Sequence, residues 1–354
     1  MSQLTIEDIA RLAGVSRSTV SRVINGQPSV RLVVRERVQA VIAAHGYTPQ
    51  AAARQLVTQR TRTIGLILPD MADNLFGNPI FALMGQGVSQ VAALEGYVSM
   101  QFMGQRDLEE EIFSSLLRSR HFDGVILISG EYGDPCPAFL KHANIPYVRI
   151  GRDPHHDDDL KYVDINNVEA VCTAVNHLIK LGHRRIAMIK GLARDASSAE
   201  RYEGYKQALF EAGIPLNEKF VSEGDWSAVC GYKATQRFLR LDEPPTALFS
   251  SNDIMAAGVV RAAHESGVKV PDDLAIVGFD DLDQTTMIFP ELTTIRQPCV
   301  EMGASAAKML IDQLENGNLD VEHVILPTTL VIRESCGFHR QPTLLERGMP
   351  ERHE

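Results

Sequence analysis

Along the first fifty residues the apolar positions fall into short helical registers. Ile6, Ile9, Ala10 and Ala13 follow i, i+3, i+4, i+7 and predict one face of a helix. Thr5 with Asp8 three residues on is a capping-box-like start. Gly14 follows at once, a residue free to take a left-handed turn. Ser16 is a natural N-cap for a second helix. In that helix Val20, Val23 and Ile24 point one way, and Arg17, Ser18, Ser21 and Arg22 the other. Asn25-Gly26 ends it. A third helix is predicted from about Val30 to Ala44, with Val34, Val38, Val41 and Ile42 inward and His45-Gly46 as its stop. Helix, short glycine turn, helix is the helix-turn-helix pattern, whose second helix enters the major groove of DNA. The alternative is a small helical bundle with a solvated polar face.

From Thr63 onward the pattern changes to apolar runs alternating with helical stretches. Strands are predicted at 63–69, 97–102, 124–129, 146–150, 185–190, 219–222, 246–250 and 274–278. Helices are predicted between them at 79–94, 108–119, 167–181, 200–212, 228–240, 253–266 and 299–316. Continuous apolar strands with helical crossovers imply parallel sheets buried on both faces. Two such runs, before and after about residue 164, predict two similar subdomains. The expected fold is thus an all-α helix-turn-helix head plus an α/β body of two doubly wound parallel-sheet subdomains. In such sheets ligands bind beyond the carboxyl ends of the strands, which points to the cleft between the subdomains.

Charge strengthens the division. The chain of 354 residues carries a net charge of −10, which by itself argues against nucleic acid. Residues 1–62, however, hold nine arginines and three acids, a net of +6, so the remainder carries −16. A basic head on an acidic body suits a DNA-binding module joined to a part that must not bind DNA. Hydrophobic residues make up 44% and charged residues 23%, values ordinary for a globular protein. No apolar run reaches the roughly 18 residues a membrane span needs. The start Met1-Ser2-Gln3-Leu4-Thr5 has no basic patch and no apolar core of a secretory signal, so a cytoplasmic location is expected. The five cysteines, at 136, 172, 230, 299 and 336, have no zinc spacing and are expected to be free thiols. The run His155-His156-Asp157-Asp158-Asp159 also lacks metal-site spacing and is expected to be a solvated loop. No cofactor and no metal are expected.

The stretch TIEDIARLAGVSRSTVSRVING, Thr5 to Gly26, closely resembles the head of the lactose/galactose repressor family of bacterial transcription regulators. The resemblance continues through Arg35-Glu36-Arg37-Val38, Gly46-Tyr47, Pro49, Ala53-Arg54 and Leu56. It implies that Arg17, Ser18 and Arg22 face bases, while Thr5, Ser16, Thr19, Ser21 and Asn25 hold phosphate or cap helices. Residues 50–57 would be a hinge helix, too short to be stable alone. The resemblance implies that it folds on DNA with Leu56 wedged into the minor groove and Ala53 beside it. Gln50 departs from the family's usual asparagine, and Val34 from a common threonine. The domains expected are a DNA-binding domain 1–49, a hinge and linker 50–62, and a body 63–337. In the body an N-subdomain would take about 63–164 and 293–325, and a C-subdomain about 165–292 and 326–337. A polar tail, 338–354, would follow.

The body is similar to the same family, which shares the periplasmic sugar-binding fold. The matching pieces include Leu181-Gly182-His183-Arg184-Arg185-Ile186, Ser251-Asn252-Asp253, Val277-Gly278-Phe279-Asp280-Asp281 and Leu292-Thr293-Thr294-Ile295. By this resemblance Asp280 accepts hydrogen bonds from ligand hydroxyls, Arg201 clamps the ligand, and Asn252 and Asp253 sit at a strand end facing it. Trp226 would stack on the ligand, Phe76 or Phe81 would form the opposite wall, and Arg152 would close the first subdomain's side. The plain alternatives are caps or ion pairs for Asp280 and Arg201, and core packing for Trp226. The segment after Asp70 is longer than the family's usual form, and Asn166 stands where aspartate is common.

Two other function classes make contrary predictions. A transport binding protein of the same body fold should carry a signal peptide and no basic head. A Rossmann-type enzyme should show a glycine fingerprint after its first strand, but no G-x-G-x-x-G, P-loop or G-x-S-x-G occurs there. The reading is therefore a DNA-binding regulator and not an enzyme, with no catalytic residues. A repressor is expected, acting as a homodimer on pseudo-palindromic double-stranded operator DNA. A small effector, a sugar foremost and a purine as the alternative, would control it. No membrane partner is expected.

Overall fold

The computed structural model describes residues 4–24, 26–47, 60–68, 78–103, 121–153, 161–317 and 323–338. The chain forms two compact units, Met1–Thr61 and Arg62–Glu354. The expected readers Asn25, Ala53 and Leu56, the hinge 50–57, Phe76, the helix at 108–119, the His155–Asp159 run and the tail beyond Phe338 lie outside the described residues.

The head holds three helices: α1 (Ile6–Ala13), α2 (Arg17–Ile24) and α3 (Leu32–His45). Thr5 and Asp8 make the reciprocal capping box at α1. At α2 the Thr19 backbone N–H donates to Ser16 Oγ at 3.1 Å. Ile9, Ala10, Ala13, Val20, Val23 and Val38 close a small common core, with Val41, Ile42 and Tyr47 packed around it. So few apolar residues suffice because all three helices turn their narrow stripes to one point.

The body is two copies of one topology. The first sheet uses β1 (Thr63–Leu68), β2 (Val98–Met103), β3 (Gly124–Ile128), β4 (Tyr147–Ile150), β5 (Tyr162–Ile165) and β11 (His323–Leu326), in the order β11-β5-β4-β3-β1-β2. The second uses β6 (Ile186–Ile189), β7 (Val221–Ser222), β8 (Ala247–Ser250), β9 (Ala275–Asp280), β10 (Thr293–Arg296) and β12 (Thr329–Val331), in the order β12-β10-β9-β8-β6-β7. Every pairing is parallel except β10 with β12. Strands β3, β6, β8 and β9 are buried along their whole length, as their unbroken apolar runs require.

Helices cover the sheets: α4 (Ile80–Leu94), α5 (Cys136–His142) and α10 (Cys299–Asn316) on the first, α6 (Asn167–Lys180), α7 (Ala196–Glu211), α8 (Ala228–Leu239) and α9 (Asp253–Glu265) with the second. Helices α4 and α10 cross backbone to backbone at Gly87 and Gly303. A Cβ on either would lie 1.9 Å from the other helix's carbonyl oxygen, at Val300 and Met84 respectively. None of the five cysteines forms a disulfide, and Cys136, Cys299 and Cys336 are buried.

The chain passes between the sheets three times, after β5, after β10 and after β11. This revises the expected subdomain limits. Residues 293–296 belong to the second sheet, because β10 pairs with β9 from Thr293 opposite Val277 to Arg296 opposite Asp280. Leu326 belongs to the first sheet, opposite Ile165. The second crossing therefore comes at Gln297-Pro298, four residues later than expected.

Candidate functional site

On α2, Ser16, Arg17, Ser18 and Arg22 are exposed, and Thr19 and Ser21 are half-buried. Arginine forks and short hydroxyls on one helix face are the groups that read guanine edges and hold phosphates. Arg17 Nε lies 3.2 Å from Glu7 Oε1, an exposed pair that a stronger partner can break. Ser16 Oγ is 2.8 Å from Ser18 Oγ and 2.9 Å from Thr19 Oγ1. Thr5 Oγ1 accepts from the Asp8 N–H at 3.3 Å and donates to Asp8 Oδ2 at 2.7 Å, so its placed role is that of an N-cap.

In the body, the carboxyl ends of both sheets face one cavity of about 160 Å³. At roughly 10–15 Å³ per water this is room for on the order of ten waters, a space suited to a small polar molecule. The first subdomain contributes Ser129, Gly130 and Glu131 after β3, Arg152 after β4, and Phe81 from α4; the second contributes Asp195, Trp226, Asn252 and Asp280.

Arg201 is the hub. It is buried, and its guanidinium donates to Asn167 Oδ1 at 3.0 Å, to the Ser251 carbonyl at 2.5 Å and to Gln297 Oε1 at 3.3 Å. Asn167 follows the first crossing and Gln297 lies in the second, so one side chain ties both links to the end of β8. The guanidinium also lies 3.6 Å above the Phe279 ring. Burial lowers its pKa, and the nearby charges of Asp280, Asp164 and Glu200 oppose that shift.

Asp280 ends β9 at φ 118°, a conformation few residues other than glycine adopt. Its Oδ2 is buried and has no hydrogen-bond partner. Burial pushes this carboxyl well above the usual range, while Arg201 pulls it down and Asp253 pushes it up. Trp226 also sits at positive φ, 68°. Its indole N–H donates to Asp195 Oδ2 at 2.7 Å, and its ring lies where any Cβ on Gly191 would approach to 2.0 Å. Strain at two cavity residues costs on the order of 1–3 kcal/mol each, and such strain clusters at binding sites.

Asn252 caps α9, accepting from the Met255 N–H at 2.8 Å, and its amide donates to the Trp226 carbonyl at 3.1 Å. Asp253 does not face the cavity. Its carboxylate accepts from Thr294 Oγ1 at 2.6 Å and from the Leu282 N–H at 3.0 Å. That corrects its expected place among effector ligands: both oxygens bind β10 and the turn after β9. Arg152 lines the cavity, and its Nη2 donates to Glu200 Oε1 at 2.7 Å.

Several lining residues were not anticipated. Asp164 in β5 is buried, accepts from the Ile165 N–H at 2.8 Å, and stands 3.6 Å from Arg152 Nε. Glu131 accepts from Arg194 Nε at 2.9 Å. Around that pair the two subdomains join by main chain: the Tyr132 N–H donates to the Arg194 carbonyl and the Ala196 N–H to the Gly130 carbonyl, at 2.9 and 2.8 Å. A buried aspartate inside a short apolar run was the one available signal for Asp164. The loop pairing had none.

Burial raises the Asp164 pKa to about 7, with the Ile165 N–H opposing and Glu200 adding to the rise. Between the ordinary carboxylate range and about 7 the folded chain keeps a proton that the unfolded chain has released, so stability falls as pH rises through that window. At about 1.4 kcal/mol per pKa unit the effect is on the order of 4 kcal/mol. Asp164→Asn should melt close to the parent at pH 4 and above it at pH 8. Parallel melting curves across that range would contradict the assignment.

Residues 5–50 match the family described as bacterial regulatory proteins, lacI family, and residues 175–336 match a periplasmic binding protein-like domain. The HTH-type transcriptional regulator CelR of Thermobifida fusca is 37% identical over 332 residues, covering 94% of this chain and 98% of CelR. The chain belongs to the LacI family. The repressor CytR of Escherichia coli K12 is 34% identical over 94% of this chain and 96% of its own length. Among solved structures, a CelR–cellobiose complex superimposes with a TM-score of 0.75 at 35% identity, covering 94% of this chain and all of that one. The lac repressor dimer bound to operator and the anti-inducer ONPF gives 0.84 at 28% identity, covering 95% and 99%. This LacI-family chain is thus a DNA-binding transcription regulator and not an enzyme.

Proposed function

We propose that this LacI-family regulator is a cytoplasmic homodimeric repressor that reads a pseudo-palindromic operator and is controlled by a sugar in the body cleft. The observation that carries the effector half is the buried, unpartnered Asp280 carboxylate oxygen facing a cavity lined by both subdomains. A hydroxyl donor is what such an acceptor lacks. CelR with cellobiose and the lac repressor dimer on its operator support the reading by likeness. In it, Arg17, Ser18 and Arg22 read bases, and Ser16, Thr19 and Ser21 hold backbone. Arg201, Asp280, Asn252, Arg152, Phe81 and Trp226 surround the sugar. The ligand shifts one subdomain against the other about the crossings that Arg201 holds. A coupling of about 1–3 kcal/mol would change operator affinity roughly 5–150-fold.

Fluorescence anisotropy on operator-like DNA, with and without sugars found by a thermal-shift screen, tests both halves. Arg22→Ala should weaken operator binding roughly 5–150-fold and relax discrimination at one base pair per half-site. A loss that is equal for every DNA sequence would make Arg22 a phosphate contact instead.

A further inference from the structure

We infer that the cleft accepts only an uncharged polyhydroxylated effector and turns away phosphorylated and carboxylated sugars, because the chain's own groups already occupy every arginine that lines it: carboxylates hold Arg152 and Arg194, and neutral acceptors hold Arg201. This rests on the proposed effector role of the cleft and specifies its ligand. The cationic side chains lining the cavity, among the described residues, are Arg152, Arg194 and Arg201. Arg152 gives both Nε and Nη2 to Glu200 Oε1, at 3.1 and 2.7 Å, and has Asp164 at 3.6 Å. Arg194 gives Nε to Glu131 Oε1 at 2.9 Å. Arg201 spends its fork on Asn167, Ser251 and Gln297, and its charge lies within the field of Asp280, Asp164 and Glu200.

A phosphate ester brings about −1.5 to −2 charges at pH 7 and only acceptor oxygens beyond its ring hydroxyls. Its recognition needs a free fork or a free ammonium. Here it would have to displace Glu200 or Glu131 and strand that carboxylate, with Asp195 also lining the cavity. What the cavity does offer unpaired is the Asp280 Oδ2 acceptor and the Ser129 hydroxyl, both buried without a partner. A ring hydroxyl can donate to Asp280 Oδ2, which a phosphate dianion, having no proton to give, cannot do. Glu200 and Glu131 act through the arginines they hold, so they are positioning residues that set the charge preference.

The test is calorimetric titration of the full chain with glucose, cellobiose and ribose, each against its phosphate ester, and with glucuronate. Operator anisotropy is read on the same preparations. A neutral sugar should bind, with its anionic counterpart weaker by about 100-fold or more. Glu200→Gln, which frees Arg152, should narrow that gap at least about tenfold while leaving operator binding by the head unchanged. An anionic sugar that binds the parent as tightly as its neutral form, or a gap that Glu200→Gln leaves intact, overturns the inference. If an anionic sugar binds and also alters operator affinity, the effector role stands and only the charge preference is lost. If no sugar of either kind changes melting or operator affinity, both fall.

Discussion

Arg201→Met is expected to lower the stability of the body by about 3–5 kcal/mol, the usual cost of removing one partner from a buried charged cluster. Methionine keeps much of the volume and the contact with the Phe279 ring, so the cavity term is small. What is lost is electrostatic and polar. Asp280 and Asp164 lose the cation that lowers both their pKa values. Asn167 Oδ1, the Ser251 carbonyl and Gln297 Oε1 lose their donor together. Because Asn167 and Gln297 flank two of the three crossings, the substitution also frees the links about which the subdomains turn. Arg201→Lys should recover little, since one ammonium cannot reproduce a planar fork aimed at three separated acceptors. Urea unfolding of both variants against the parent measures the effect. A loss below about 1 kcal/mol would mean the cluster is solvated or rearranges freely, and Arg201 would not be the hub described.

Much of this fold was legible because its signals were local. Long apolar runs such as Val125–Ile128 and Ile276–Phe279 can be buried on both faces only in a parallel sheet, and they lie in β3 and β9. The helix-turn-helix was legible for the same reason, with caps and stripes all within 40 residues. The strands that escaped have mixed character. β5 carries the buried Asp164, β10 begins with Thr293-Thr294, and β11 and β12 are partly exposed edges. Thr294 is buried in a strand because its hydroxyl satisfies Asp253, a pairing 41 residues apart. That long-range bond also explains the wrong subdomain limit and the misplaced Asp253. A carboxylate after a strand end faces either the ligand or a neighbouring strand, and only the fold decides which.

The site itself was half legible. Arg201, Trp226, Asn252, Asp280, Phe81 and Arg152, named from the family resemblance, line one cavity. The partners that set their chemistry were not. Glu200 holds Arg152, Asp195 holds Trp226, and Glu131 meets Arg194 across the subdomains. Each of these pairs spans a sequence separation of 31 residues or more, so no motif contains it. The positive φ of Trp226 and Asp280 was equally invisible, since no glycine marks either position and tryptophan seldom adopts such a φ.

Asp280→Asn is expected to abolish the effector response while leaving operator binding by the head within about twofold. The amide keeps the shape of the side chain and one carbonyl acceptor, so β9 and its turn should hold. It cannot offer the second carboxyl oxygen that the structure leaves without a partner, and puts an amide NH2 donor in its place. Leaving a buried group unsatisfied costs about 1–3 kcal/mol, so the loss in effector affinity should be roughly 5–150-fold for each hydroxyl it receives. The unliganded variant should not lose stability in proportion, because burial already opposes ionisation of this carboxyl. Stability and effector affinity are therefore predicted to separate at Asp280, whereas at Arg201 they should fall together. Anisotropy with a sugar series and urea unfolding on the same preparations distinguish the two patterns. A variant that still releases operator at the parent's sugar concentration would remove Asp280 from the effector site and leave its unpaired oxygen as a structural feature of the turn.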